Sequence, residues 1–361
     1  MKNIIKSVIV VLSSVSLFGL ANAGELSVSG TAKATYNIYS GDANEKKGLG
    51  ITNELNFTAS GELDNGYTWS YSMELDPADA SAGGAATNDD TSLTMTTPLG
   101  TFGVFVVEGG LDKEDGGSQS VYGRPTDIGD PSSGNGDAHN IDSYNNVQYH
   151  TPADLLPFGI AAKVAYATGL DGTNNSGNAI GAVDTDETAI TDAGQSATQY
   201  QVTAAPIDGL SIFASYMEFS GFGVDKNDQE PESGAYGATY ASGPFSIGYS
   251  KAYKTVGHGG SLQSGTGGAS GSGIVDFYEQ TNYSVAYVAS DNLSLSYEVE
   301  KDNANYVLNT TADVEQKSRA IQAAYTMGGM TLGIAMNDHK NTEYTQNKDI
   351  KDTVFTVQMA F

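Results

Sequence analysis

The residues able to do chemistry in this chain are mostly carboxylates. Asp and Glu number 43 against 17 Lys and Arg, with 4 His and no Cys, for a formal charge of −26 over 361 residues. Without Cys there is no thiolate nucleophile, no thiolate metal site and no disulfide framework. His139, His150, His258 and His339 form no H-E-x-x-H or other pair at ligand spacing, so no metal centre and no cofactor is expected. The Gly-rich stretches at 221–223 and 257–273 are not followed by a helical pattern, which a phosphate cradle requires. No nucleophile elbow or dinucleotide fingerprint appears either, so the chain does not read as an enzyme. Asp89–Asp90, Asp184 and Asp186–Glu187 offer hard oxygen ligands that suit weak Ca²⁺ binding, without the spacing of an EF-hand; solvated loop charge is the simpler reading. Nucleic acid is disfavoured as a partner, because phosphates need Lys and Arg to neutralise them.

The elements that position these charges begin after a leader. Lys2 and Lys6, an apolar run from Ile9 to Leu20, and Ala21-Asn22-Ala23 predict a cleaved Sec signal peptide over 1–23 and a mature chain from Gly24. A membrane anchor is the alternative, but the run is too short for one. Removing Lys2 and Lys6 leaves 15 basic residues against 43 acidic ones, a charge of −28 over a single domain at 24–361. No later segment approaches the roughly 18 apolar residues of a membrane helix, a readout that a soluble β-protein and a membrane β-barrel share.

Periodicity carries more. In Thr353 to Phe361, one face holds Phe355, Val357, Met359 and Phe361, and the other holds Val354, Thr356, Gln358 and Ala360. The same period-2 split recurs at 67–76, 293–300 and 331–336. Short turns fall at 64–66, 98–100, 152–157, 207–209, 242–244, 290–292 and 328–330, with Asn-Gly and Asp-Gly supplying the positive φ of tight hairpins. Long polar connections fall near 41–48, 79–90, 110–140, 170–197, 220–232, 255–276, 302–315 and 339–350. Seven short and eight long connections in strict alternation imply sixteen strands, with all the short turns at one end.

A soluble sandwich or β-helix would also alternate, and three features favour a closed transmembrane barrel. The polar face is Ser, Thr, Gly, Ala, Asn, Gln and Glu throughout, as in a wet lumen. Aromatics such as Tyr36, Tyr39, Tyr67, Trp69, Tyr149, Tyr166, Tyr216, Phe219, Tyr253, Tyr278 and Phe361 gather near strand ends, where headgroups would lie. In lipid every backbone polar group must be paired, and the first and last segments are strands that could close the ring.

With these residues assembled, the chain resembles the Gram-negative outer-membrane general porins of the 16-stranded trimeric type. The resemblance rests on the leader, the opening strand Gly24 to Gly30, the segment Asn146 to Pro152 and the terminal strand from Val354 to Phe361. It implies an all-β, 16-stranded antiparallel barrel with short periplasmic turns, long external loops and a third long loop folded into the pore. It also implies a homotrimer in the outer membrane, in contact with its lipid and lipopolysaccharide, inserted by assembly machinery that reads Phe355, Val357, Met359 and Phe361. The third loop, 110–140, would then set the constriction with Asp112, Glu114, Asp115, Asp127, Asp130 and Asp137, accompanied by Lys113, Arg124 and His139. By strand parity Lys33 and Lys163 are the only cations expected on the inner wall, while Lys251 and Arg319 share parity with lipid-facing neighbours and are expected near an interface; Glu54, Glu74 and Glu298 are the expected inner-wall acids. That balance suggests passive diffusion of small hydrophilic solutes with a preference for cations. A substrate-selective nutrient channel, or a barrel used as an adhesin, remain the alternatives.

Overall fold

Alternating side chains and hairpin turns fold this chain into a single closed sheet. The computed structural model describes residues 24–43, 46–76, 87–113, 115–127, 137–152, 155–168, 196–220, 231–255, 275–306 and 312–361. Its sixteen strands are β1 (Glu25–Gly41), β2 (Lys47–Glu62), β3 (Thr68–Asp76), β4 (Thr87–Thr97), β5 (Gly100–Val106), β6 (Asn146–His150), β7 (Ala161–Thr168) and β8 (Ser196–Ile207). They continue as β9 (Leu210–Ser220), β10 (Glu232–Ser242), β11 (Phe245–Thr255), β12 (Val275–Ser290), β13 (Leu293–Tyr306), β14 (Val314–Met327), β15 (Met330–Lys340) and β16 (Ile350–Ala360). Each strand pairs antiparallel with its chain neighbours, and β1 pairs with β16 to close the barrel. At the seam Gly30 and Phe361 exchange both backbone hydrogen bonds, at 2.8 and 3.0 Å.

The short turns fall where the sequence puts them. At Gly209 the chain takes φ +76°, and a Cβ there would stand 2.2 Å from the Ala241 carbonyl oxygen, so the hairpin both needs and selects glycine. The long connections differ more from expectation. β1 runs to Gly41 and β2 starts at Lys47, so the first connection is only residues 42–46, and β13 continues to Tyr306 through a stretch read as loop. Polar composition marks where the apolar band ends, whereas the hydrogen-bond ladder continues beyond it into water.

Packing is inverted relative to a soluble protein. On β14, Ile321 points outward at 61 % exposure while the next residue, Gln322, points inward at 2 %. The same contrast runs around the wall, with Val104, Val147, Ile247, Met336 and Phe355 exposed and Gln199, Gln280, Ser296 and Ser318 buried. An apolar exterior around a polar interior, with every strand edge paired, is the arrangement that hydrocarbon requires. The chain is therefore a transmembrane β-barrel; no helix among its described residues is long and apolar enough to cross a membrane.

The inner face is not uniformly polar. On β9, Phe213, Met217 and Phe219 point inward and are buried. Phe219 is thus not an interfacial aromatic, and Tyr39 and Tyr278 likewise take inward strand positions, Tyr278 packing against Tyr344 at 5.3 Å.

Candidate functional site

The described parts of the connection from β5 to β6, residues 107–113, 115–127 and 137–145, fold into the barrel. Gly109 starts the inward path at φ +84°, where a Cβ would meet Gln148 Nε2 at 2.5 Å and the Phe105 ring at 2.6 Å. Gln148 donates from that nitrogen to the Gly109 carbonyl at 2.5 Å. Leu111, Ile141 and Tyr144 then pack against Ala165, Ala167, Ala197, Met217 and Phe219 in a small apolar cluster inside the wall. Burial of these side chains, at about 25 cal/mol per Å², anchors the base of the loop.

Beyond this cluster the loop is held by inward polar side chains. Gln201 donates to the Leu111 carbonyl at 3.2 Å. Asp115–Gly117 forms a single 3-10 turn, and Ser284 donates to the Gly117 carbonyl at 2.7 Å. Ser118 donates to Glu298 at 2.7 Å, and Ser120 and Asn282 donate to the same carboxylate. The Val121 amide donates to Ser296 at 3.0 Å and the Tyr122 amide to Gln322 at 3.1 Å. Tyr122 packs against Ala335 and Val354, and Lys33 Nζ lies 5.8 Å from its ring centroid, within cation–π range.

The return path holds most of the buried charge. Arg124, 6 % exposed, pairs with Asp127 and Asp137 at 2.9 Å each and with Glu300 at 3.4 Å. Thr126 donates to Glu300 from its amide at 3.1 Å and its hydroxyl at 2.7 Å, and Gln280 donates to Asp137 at 2.5 Å. Burial alone would raise the Asp137 pKa, but the charge and hydrogen bonds of Arg124, with Lys254 and Gln280, hold it below the usual carboxylate value. Burial, reinforced by Lys254, pushes His139 down to about 3 against the opposing hydrogen bond to the Thr255 carbonyl, so this histidine is neutral at ordinary pH. The loop closes back through the His139 amide to Ser233 at 2.8 Å and the Ile141 amide to Gln199 at 2.9 Å.

The loop therefore contacts the inner wall from β7 to β16. Inward residues there, such as Gln199, Gln280, Glu298, Gln316 and Gln322, are buried, whereas Glu54, Asn56, Thr58, Ser70, Ser72 and Glu74 on β2 and β3 stay half-open. Lys33, Glu54 and Glu74 point inward, Glu54 accepting from Asn56 at 2.5 Å. Lys163 also points inward, opposite His150 in the ladder and within electrostatic reach of Lys113 on the loop.

Several sequence expectations change. Glu298 lies inward but fully buried under the loop, as an anchor and not as open pore wall. Arg124 is not a free charge at the constriction, because three carboxylates neutralise it. Lys254 also points inward, beside Asp137 and His139, as a third inner-wall cation that strand parity with Ser250 and Ala252 places there. Glu300 and Asp302, inward and buried on β13, complete the cluster. They alternate with Glu298 along the strand, and Asp302 lies on β13 where the sequence pattern predicts the start of a loop. Asp112 is half-buried at the start of the loop, and Asp127 keeps its side chain 46 % exposed. Glu114, Asp130, Asp184, Asp186, Glu187 and His258 lie outside the described residues. Among the described residues no group of three His, Asp or Glu is arranged to hold a metal ion.

The structure also forms one constellation that spacing did not reveal. Ser318 Oγ lies 2.9 Å from His339 Nδ1, His339 Nε2 lies 3.0 Å from Asp352, and Asn337 donates to the same carboxylate at 2.8 Å. Ser318 and His339 are direct cross-strand partners, so strand register alone brings them together. The residues are those of a nucleophile–base–acid relay, but the ring presents Nδ1 to the serine, Ser318 is 1 % exposed, and the surrounding amides are committed to the ladder. The group works as a polar clamp across β14, β15 and β16.

No family model matches the sequence, and no curated protein matches it significantly. Solved structures do match in fold. A mutant of the porin of Rhodopseudomonas blastica aligns at 15 % identity and TM-score 0.56, covering 93 % of this chain and 100 % of that one. A second mutant of the Rh. blastica porin aligns at 13 % identity and TM-score 0.56 over the same shares. A loop L8 deletion mutant of OmpT, an outer membrane protein of Vibrio cholerae, aligns at 12 % identity and TM-score 0.62, covering 94 % of this chain and 100 % of that one. At such identities the likeness is one of fold: the sixteen-stranded porin barrel.

Proposed function

We propose that the chain is a passive outer-membrane channel for small hydrophilic solutes and ions, with residues 107–145 as its constriction and a preference for cations. The observation that carries this reading is the asymmetric lumen. The loop is seated on the wall from β7 to β16, and the half-open remainder is lined by hydroxyls, amides, Glu54 and Glu74. Arg124, the loop's guanidinium, is matched by Asp127, Asp137 and Glu300 and projects little positive field. Lys33, Lys163 and Lys254 oppose the preference, which makes it mild.

Planar-bilayer recording tests both parts. Discrete ohmic steps, with a reversal potential in a salt gradient of the sign set by cation flow, are expected. An absence of steps at any voltage would refute the channel, and a reversal potential of anion sign would refute the preference. The family resemblance further suggests a homotrimer, for which the mass of the detergent-solubilised complex should be three protomers.

A further inference from the structure

The open part of the lumen holds a base and an acid that do not meet. Lys33 on β1 and Glu54 on β2 both point inward, and Glu54 stands opposite Thr31, two residues from Lys33 on the same face. Such a diagonal separation, roughly 7–8 Å, is within reach of a long side chain. Yet Lys33 makes no ion pair among the described residues. Its ammonium lies 5.8 Å from the ring centroid of Tyr122, while Glu54 accepts from Asn56.

The wall builds a socket that holds Tyr122 in this place. On the inner face of the barrel, register sets Ala324 opposite Gly333, Gly333 opposite Thr356, and Ala335 opposite Val354. The result is a depression of small side chains in a wall otherwise rich in amides and hydroxyls. The Tyr122 ring fills it, packing on Ala335 and Val354. A Cβ at Gly333 would press into Thr356 Oγ1 and stand 3.0 Å from the Tyr122 ring, so glycine there makes the room. The Tyr122 hydroxyl has Thr356 and Thr35 as hydrogen-bond partners, and these two threonines face each other across the β1–β16 seam. The backbone is fixed as well: Gln322 accepts from the Tyr122 amide at 3.1 Å and donates to the Gly123 carbonyl at 2.6 Å. The loop therefore reaches across the barrel to the seam and ends beside Lys33.

We propose that Tyr122 sets the ion preference of the channel by holding Lys33 away from Glu54. The face of an aromatic ring is the negative end of its quadrupole, so it takes the ammonium without using up a carboxylate. Lys33 stays against the loop, and Glu54 keeps its field in the open lumen. Without the ring, the flexible four-carbon stem of Lys33 would swing to its diagonal neighbour, and the two charges would cancel. The socket is thus a selectivity device whose residues need touch no solute: they decide how much of the acid charge on β2 a passing ion meets. This role rests on the channel reading above, whereas the placement of Lys33 does not.

Zero-length carbodiimide cross-linking of the purified full barrel, read by peptide mass spectrometry, tests the placement without current. A Lys33–Glu54 cross-link should form in Tyr122→Ala and be absent from both the unaltered protein and Tyr122→Phe, which keeps the ring. Planar-bilayer recording in a salt gradient then tests the role. Tyr122→Ala should lower the cation-to-anion permeability ratio by about twofold or more, the scale of a half-exposed cation–π contact. Adding Lys33→Gln to Tyr122→Ala should restore the preference. A loss that survives removal of Lys33 would assign the effect to displacement of the loop and overturn the proposal. An unchanged ratio in a conducting Tyr122→Ala channel would also overturn it, while leaving the channel reading intact. An unaltered barrel that passes no current would sink the channel reading and this role with it, whatever the cross-link shows. Gly333→Val is an independent variant that retains Tyr122 but fills its socket. With heat-modifiable mobility confirming a closed barrel, it should reproduce both the cross-link and the lowered ratio; a closed Gly333→Val barrel with neither would contradict the socket.

Discussion

Arg124 is the residue on which the loop's charge depends. Arg124→Met would leave Asp137 and Glu300 buried without their cation, and removing one partner of such a group costs on the order of 3–5 kcal/mol. The loop should detach while the barrel stays closed, seen as protease cleavage within 107–145 and a larger single-channel conductance. Acid should act in the same direction. His139 has a depressed pKa in the docked loop, so its contribution is full above the free value of 6.5 and is lost as pH falls toward about 3, on the order of 5 kcal/mol in total. Asp137, also depressed, adds a loss below its ordinary value of 3.8. Conductance should therefore shift progressively between pH 6.5 and 3, and His139→Phe should flatten the upper part of that range. At this scale the sequence showed which residues carry charge but not which ones meet. Arg124 and Asp137 are close in the chain and could be grouped. Glu300 lies 176 positions from Arg124 and reaches it only through barrel register.

Loop docking is a property of elements. Met217 and Phe219 on β9 give the loop an apolar seat, so Met217→Ala or Phe219→Ala should cost roughly 2–5 kcal/mol of docking. Heat-modifiable gel mobility should still report an intact barrel, while proteolysis of 107–145 accelerates; unchanged proteolysis would show that the polar anchors suffice. The turns were legible because Asn-Gly, Asp-Gly and Gly-Pro chemistry is local. Strand ends were less so, since hydrogen-bonded pairing outlasts the apolar pattern, as β13 shows by running to Tyr306. The inward aromatics of β9 were visible as a strand apolar on both faces, but parity reading treats one face as core and gives the other no role.

The whole molecule follows from closure. Sixteen strands, their order and the inside-out polarity could all be derived from alternation and connection lengths, because a lipid-spanning sheet has few other ways to satisfy its backbone. The open half of the lumen could not be foreseen, since it depends on which strands the loop contacts. Glu54→Gln together with Glu74→Gln should move the reversal potential toward zero without altering assembly, measured in the same salt gradient. At the seam, Phe361→Ala should lower the yield of inserted barrel, scored by heat-modifiable mobility in membranes, if the face formed with Phe355, Val357 and Met359 is the insertion signal that the family resemblance implies.

The pairing of β1 with β16 has a temporal consequence. β1 closes the sheet only against β16, so a chain on which β16 has yet to be made has two raw sheet edges and no way to cap either. Contacts that span nearly the whole chain are slow to form. This barrel must be kept apart from its copies until β16 arrives, and its closing step acts as a checkpoint: a chain without β16 stays an open, adhesive ribbon fit for proteolysis, and only one that carries it becomes inert to its neighbours.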